Sequence, residues 1–281
     1  MRIDAHHHVW RVARGDYGWL TPDLGPIHRD FGMDDLAPFL ARHGIAGTIL
    51  VQAAPTEAET AFLLETAEAH PAVLGVVGWT DFEAQDAGAA VARLAGSSLL
   101  VGLRPMVQDI PDDGWLASPR ITPALAATEA QGLVFDALVL PRHLRHLIGV
   151  ADRHPGLPIV LDHGAKPRIA EGLLDPWRDD LRALARRPNV TCKLSGLVTE
   201  AGAGWTVERL RPYVQEILDC FGPGRVLWGS DWPVVDLAGG YDRWAEAADA
   251  LLAGLPAADR AAILGGNAAR IYLAKRGRTP C

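Results

Sequence analysis

Short runs of β-branched and aliphatic residues alternate along the chain with longer stretches in which Ala, Leu, Arg and Glu recur at helical spacing. Eight of the short runs read as strands, at residues 2–8, 47–53, 74–81, 100–107, 133–139, 159–164, 190–196 and 226–232. Buried strands alternating with helices in this way predict a (β/α)8 TIM barrel, in which a parallel sheet closes on itself inside a ring of helices. The helical stretches carry start and stop signals. Thr56, with Glu59 three residues on, predicts a capping box opening a helix that runs to His70-Pro71. Asp34 predicts the start of a helix that Gly44 stops, and Thr122-Pro123 opens another that Gly132 closes. Leucines and alanines at 61–69 and 181–187 fall on one helical face, as packing on a barrel requires.

The 281 residues suit one such barrel, so 1–281 is read as a single domain, undivided by repeat, low-complexity tract or linker. With 49% hydrophobic and 22% charged residues, the chain can bury a core that needs no disulfide or metal staple. Cys192, Cys220 and Cys281 are widely spaced and form no CxxC pair, which predicts incidental thiols in a reducing compartment. The net charge of −7, without a basic stripe, argues against nucleic acid as a partner. The chain opens directly on a strand, without a charged-then-apolar leader, and no apolar run is long enough to span a membrane. A soluble, cytoplasmic protein with no membrane partner is expected, its oligomeric state open and a homo-oligomer included. Two connections, 9–32 and 108–119, are long and polar. Both leave C-terminal strand ends, so both should overhang the face where barrels build their sites.

Three places on that face carry candidate chemistry. In Asp4-Ala5-His6-His7-His8, alternate strand residues share a face, which sends His6 and His8 into the barrel mouth and His7 away. Two neutral imidazoles side by side suit a divalent transition metal. They equally suit a hydrogen-bonded pair that binds substrate, and these residues leave both readings open. Ile159-Val160-Leu161 runs into Asp162-His163-Gly164, which puts His163 on the same rim. Gly229-Ser230-Asp231-Trp232-Pro233 ends the last strand, where Asp231 can act as general base towards water, although such a segment also makes a plain capping turn. Barrel closure favours chemistry, because it brings the first, sixth and eighth strands to one rim.

Around this cluster stand candidate substrate-binding residues. Arg104 offers a fork to a carboxylate or polyol, and Lys166 and Lys193 occupy similar positions. Each also suits a rim ion pair. Gln52 ends the second strand as a neutral donor and acceptor for hydroxyls. Trp10, Tyr17, Trp19 and His28 in the first loop, and Trp232 beside Asp231, combine flat apolar faces with polar tips. Such side chains stack on a sugar ring or anchor a loop.

Together these segments resemble the amidohydrolase superfamily, and within it the lactonase-type branch of sugar-acid lactonases and pyrone-dicarboxylate lactonase. The resemblance covers nearly the whole chain. It is carried by Ile3-Asp4-Ala5-His6-His7-His8-Val9-Trp10, Val51-Gln52-Ala53-Ala54, Gly102-Leu103-Arg104, Asp162-His163-Gly164-Ala165-Lys166-Pro167, Lys193-Leu194-Ser195-Gly196, Gly229-Ser230-Asp231-Trp232-Pro233 and Gly266-Asn267-Ala268-Ala269-Arg270. It implies a hydrolase that opens a small-molecule sugar-acid lactone. Asp231 would activate water, His163 would face substrate or metal, and His6, His8 and Asp231 would ligate one divalent metal, zinc foremost. A dinuclear centre is not implied, since the fourth and fifth strands lack a lysine and the seventh ends in Lys193-Leu194-Ser195 rather than histidine. Metal-free hydrolysis, as in the pyrone-dicarboxylate branch, stays open, with His163, Arg104 or Lys193 countering the oxyanion. Alternatives on the same scaffold are a metal-dependent decarboxylase and a lactone isomerase; outside catalysis, a sugar-binding barrel.

Overall fold

A computed structural model describes residues 1–274, so Cys281 lies outside the described residues. Eight parallel strands follow one another in chain order around one sheet: β1 Arg2–His7, β2 Ile45–Val51, β3 Val73–Gly78, β4 Leu100–Leu103, β5 Val134–Ala137, β6 Ile159–Leu161, β7 Val190–Leu194 and β8 Val226–Trp228. Helices fill the connections, giving the expected (β/α)8 arrangement. The two ends of the sheet meet at a parallel bridge between His7 and Trp232. There His8 N donates to Trp232 O (2.7 Å) and Asp231 N donates to His6 O (2.8 Å).

All eight strands stop short of the limits expected from the sequence, β4 at Leu103 rather than 107 and β8 at Trp228 rather than 232. At β2, β4 and β6 the ladder ends where the apolar residues do, and Gln52, Arg104 and Asp162 beyond them turn towards the loops of the catalytic face. Inside the barrel, Ile3, Ala5, Ile49, Val51, Val77, Val101, Val134, Val160 and Leu227 form a cluster distinct from the sheet–helix core. Ala268, Ile271, Tyr272 and Leu273 join it. This last segment closes the end opposite the site, where a side chain at Gly265 would collide with the backbone of Met1 and Ile3.

His6 and His8 share a face and His7 points away, as alternation requires, but which face the pair takes is set by an irregularity in β1. Ile3 and Ala5 belong to the interior cluster, so a regular strand would send His7 inward. A register shift between Asp4 and His7 changes the phase. His7 instead bonds Thr48 Oγ1 through Nε2 (2.9 Å). The buried Asp4 carboxylate holds the irregularity by accepting from His6 N (3.2 Å), Ser230 N (2.8 Å) and Tyr241 Oη (3.1 Å).

Helix starts follow the expected chemistry with two changes of partner. Thr56 caps the helix Glu57–Ala69 by accepting from Glu59 N (3.0 Å). The Glu59 side chain does not complete the box. It accepts from Ala53 N (3.0 Å) and Ala54 N, because the buried backbone at the end of β2 has no strand partner there. The helix Met33–His43 ends at Gly44 in left-handed backbone (φ 61°), but its cap is Gly32, whose N–H donates to Asp35 rather than Asp34. The helix Trp177–Ala185 ends before residue 187. Among the described residues, no helix is long and apolar enough to cross a membrane.

Burial pushes the Glu59 carboxyl up to about 7, against the Ala54 and Ala53 hydrogen bonds that favour the anion. Its ordinary value is 4.5. A raised folded-state pKa gives stability that is complete below the unfolded value and lost as pH rises through the folded one. Between about pH 4.5 and 7, wild-type unfolding free energy should fall by roughly 3 kcal/mol relative to Glu59→Gln in urea titrations. A difference that stays flat across that window would mean Glu59 titrates normally.

Candidate active site

At the seam of β1 and β8, three imidazoles gather around one carboxylate. Asp231 Oδ1 lies 3.4 Å from His8 Nε2, 3.5 Å from His6 Nε2 and 3.9 Å from His163 Nε2, and the His6 and His8 Nε2 atoms are 3.2 Å apart. All four side chains are buried. Burial lowers two of the histidines: His6 sits well below its ordinary value, with Lys193 adding to the effect, and His163 falls to about 4. Burial alone would raise Asp231, but His163, His8 and His6 hold it well below the usual carboxylate range. The cluster at neutral pH therefore sets the Asp231 anion beside the neutral imidazoles of His6 and His163, with His8 completing the ring.

Backbone geometry aims these groups. His163 (φ 54°), Ala165 (φ 62°), Lys166 (φ 52°) and Asp231 (φ 60°) all adopt the left-handed region, at a cost of roughly 1–2 kcal/mol each. They are the non-glycine residues that do so among those described, and all four flank the site. His163 Nδ1 is fixed by Ser195 Oγ (2.8 Å). Its ring packs so closely on Gly196 that a Cβ there would lie 2.5 Å from Nδ1.

The donors fit a divalent metal. Tetrahedral zinc with ligand bonds of about 2.0–2.1 Å has donor–donor edges of about 3.4 Å. The triangle of His6 Nε2, His8 Nε2 and Asp231 Oδ1 measures 3.2, 3.4 and 3.5 Å. His8 Nδ1 donates to Val51 O (2.8 Å), so its Nε2 lone pair faces the cluster. His6 has two proton arrangements. With Lys193 Nζ (3.1 Å) donating to Nδ1, Nε2 carries the proton and donates to His8. With Nδ1 donating instead to Asp162 Oδ1 (3.5 Å), Nε2 is free to ligate. Asp162 Oδ1, which Lys193 Nζ also approaches at 2.9 Å, is the acceptor that the second arrangement uses.

Beneath the cluster runs a chain of buried charges. Lys193, 0% exposed, reaches Asp136 Oδ2 and Asp162 Oδ1 (2.9 Å) as well as His6. Tyr272 from the plugging segment donates to Asp136 (2.8 Å), and Arg104 Nη1 meets Asp162 Oδ2 (3.3 Å). Burial raises Asp136 to about 6, whereas Lys193, His6 and Arg104 overcome burial at Asp162 and hold it well below its ordinary value.

Above the cluster opens a cavity of about 180 Å³ lined by His8, His163, Asp231, Arg104 and Lys166, with Trp19, Met106, Gln108 and Asp109 as walls. Both long loops therefore reach the mouth. Lys166 Nζ is 3.9 Å from Glu200 and is the looser of the two cations. Six residues expected at the substrate lie outside this lining, among them Tyr17, buried beside the Trp10 ring. Gln52 is fully buried and accepts from Arg104 Nε (3.2 Å) and Nη2 (2.9 Å). Lys193 is consumed by its carboxylates. Trp10 is packed behind His8 with its Nε1 on Arg29 O (2.7 Å), and Trp232 packs edge-on against Phe31. His28 stays in the first loop, with its backbone N–H on Gly25 O. Asp136 was legible as a lone acid in an apolar strand, and Asp162 as the neighbour of His163. Nothing in the sequence singled out Ser195 or Tyr272.

A family model described as amidohydrolase matches residues 3–273. L-fucono-1,5-lactonase from Burkholderia ambifaria is 46% identical over 277 residues, covering 96% of this chain and 95% of that protein. L-fucono-1,5-lactonase from Burkholderia multivorans is 40% identical over 290 residues, with 97% and 96% covered. The crystal structure of an amidohydrolase from Burkholderia multivorans with bound Zn has a TM-score of 0.92 at 39% identity, covering 97% of this chain and 99% of that one.

Removing the one cation shared by Asp136 and Asp162 leaves two buried carboxylates facing each other. Lys193→Met should lower the unfolding free energy by about 3–5 kcal/mol in urea titrations, and Asp136→Asn in that background should recover part of it. A loss under about 1 kcal/mol would mean the ion pairs are not carried into solution.

Proposed function

The chain belongs to the amidohydrolase family, and from that premise we propose that it hydrolyses a small sugar-acid lactone with Asp231 as the base. The observation that carries this reading is a single ionised carboxylate, within 3.4–3.9 Å of three imidazoles, on the wall of a cavity that also presents Arg104 and Lys166. The names of its relatives agree with that chemistry.

In the proposed reaction, Asp231 takes a proton as water adds to the lactone carbonyl carbon. The ring C–O bond then breaks, and the ring oxygen receives the proton as the open hydroxy acid forms. Asp231 Oδ1 faces the histidines, so its second oxygen is the one left for the water. Arg104 is locked by Gln52 and Asp162 and offers a fixed positive charge to the tetrahedral oxyanion, while Lys166 can extend to it. His163, held by Ser195, presents an uncharged ring edge to the same space. We assign zinc to His6, His8 and Asp231; when bound there it would add Lewis acidity and ease deprotonation of water.

Wild-type protein should acidify an unbuffered solution of one or more aldono-1,5-lactones, read by a pH indicator. Asp231→Asn should lose about 10²–10⁴-fold in kcat while keeping its circular dichroism spectrum. Wild-type kcat in that variant would remove Asp231 as the base. The metal assignment is tested separately by competition against a chromophoric chelator. His8→Ala should weaken zinc binding at least about tenfold, and unchanged affinity would place the ion elsewhere.

A further inference from the structure

Beside the reaction cavity lies a larger one of about 590 Å³, and the two share Trp19, Met106 and Asp109 as walls. The inner cavity is smaller than the usual 300–1,000 Å³ or so of a small-molecule site and suits one compact ring, whereas the outer one lies within that range. Its aromatic walls are Trp19, Trp79, Phe82 and Trp115. Trp19 is a rigid partition: its Nε1 donates to Ala53 O (2.7 Å) and its ring meets Trp10 edge-on at 5.4 Å. The charged groups lining the outer cavity are all carboxylates, namely Asp16, Asp81, Glu83 and Asp109.

This lining selects by chemistry. Carboxylates only accept, so they match hydroxyl donors and repel phosphate or a second acid. Flat indole faces match the C–H face of a sugar ring. Two of the carboxylates already have cations, Asp16 from Arg14 (2.8 Å) and Glu83 from Arg120 (2.9 Å). Their charge is compensated within the protein, which favours a neutral polyol over an amine.

Resting on the lactonase reading above, we propose that the outer cavity is a second sugar subsite. The substrate class then extends to aldono-1,5-lactones carrying a neutral glycosyl group, with the lactone ring at Asp231 and the glycosyl ring against Trp19 and Trp79. The reaction stays the same ring opening, and the glycosidic bond is not broken.

The test compares a monosaccharide aldono-1,5-lactone with lactones made by oxidising the reducing end of differently linked disaccharides. At least one glycosylated lactone should show a KM about tenfold below that of the monosaccharide lactone. Trp79→Ala, and Ile110→Trp to fill the outer cavity, should each erase that advantage and keep monosaccharide kcat/KM within about twofold. The subsite is overturned if the monosaccharide lactone is opened and no glycosylated one is, or if both variants affect the two classes equally. If no lactone is opened, the reaction reading fails by itself, and calorimetric titration with the disaccharide aldonates decides the subsite. Binding that Ile110→Trp removes supports it. Absence of binding, or tighter binding of an aldonamide bearing an alkylammonium group, overturns it.

Discussion

The hydrogen bonds that join β1 to β8 are the constraint on which this site depends. Asp231 N reaches His6 O, and His8 N reaches Trp232 O, so the contacts that close the sheet also set the carboxylate beside its imidazoles. Asp4 ties the two together, because one buried carboxylate bonds both the irregular backbone of β1 and the start of the Ser230–Asp231 turn. Strain at Asp231 and His163 is tolerated because the surrounding backbone hydrogen bonds over-determine both residues.

Below the cluster, the barrel interior departs from the apolar filling that its strands supply elsewhere. Lys193, Asp136, Asp162 and Arg104 are all buried, and taking such charges from water costs several kcal/mol per ion unless geometry repays it. Here repayment is mutual. Each carboxylate meets at least one cation, and Tyr272 brings a hydroxyl from the far end of the chain. The plugging segment is thus coupled to the orientation of His6 through two side chains. Because Lys193 and Asp162 compete for His6 Nδ1, the network also decides whether Nε2 is a donor or a lone pair.

The barrel and the members of its cluster were legible in the sequence for a local reason. Eight apolar runs, most of them passing at their end into His, Asp, Arg or Lys, are a pattern that hydrophobic burial imposes residue by residue. Helix caps were legible for the same reason, as at Thr56, although the destination of the Glu59 carboxylate was not, since its partners lie on the preceding strand. The substrate-facing set was the least legible. Trp10, Gln52, Lys193 and Trp232 have the right chemistry near the right strand ends, yet packing turned each to support the wall, while Met106, Gln108 and Asp109 line it beside the expected Trp19.

Hydrophobic period and chain order suffice to close a barrel, so the strand–helix alternation, and with it the convergence of His6, His8, His163 and Asp231, is written in the chain alone. Which faces those residues show depends on contacts made on folding. A shift of one residue within β1 reverses every side chain after it, and the energy that sets this shift comes from Asp4, Ser230 and Tyr241, which the chain brings together only when folded.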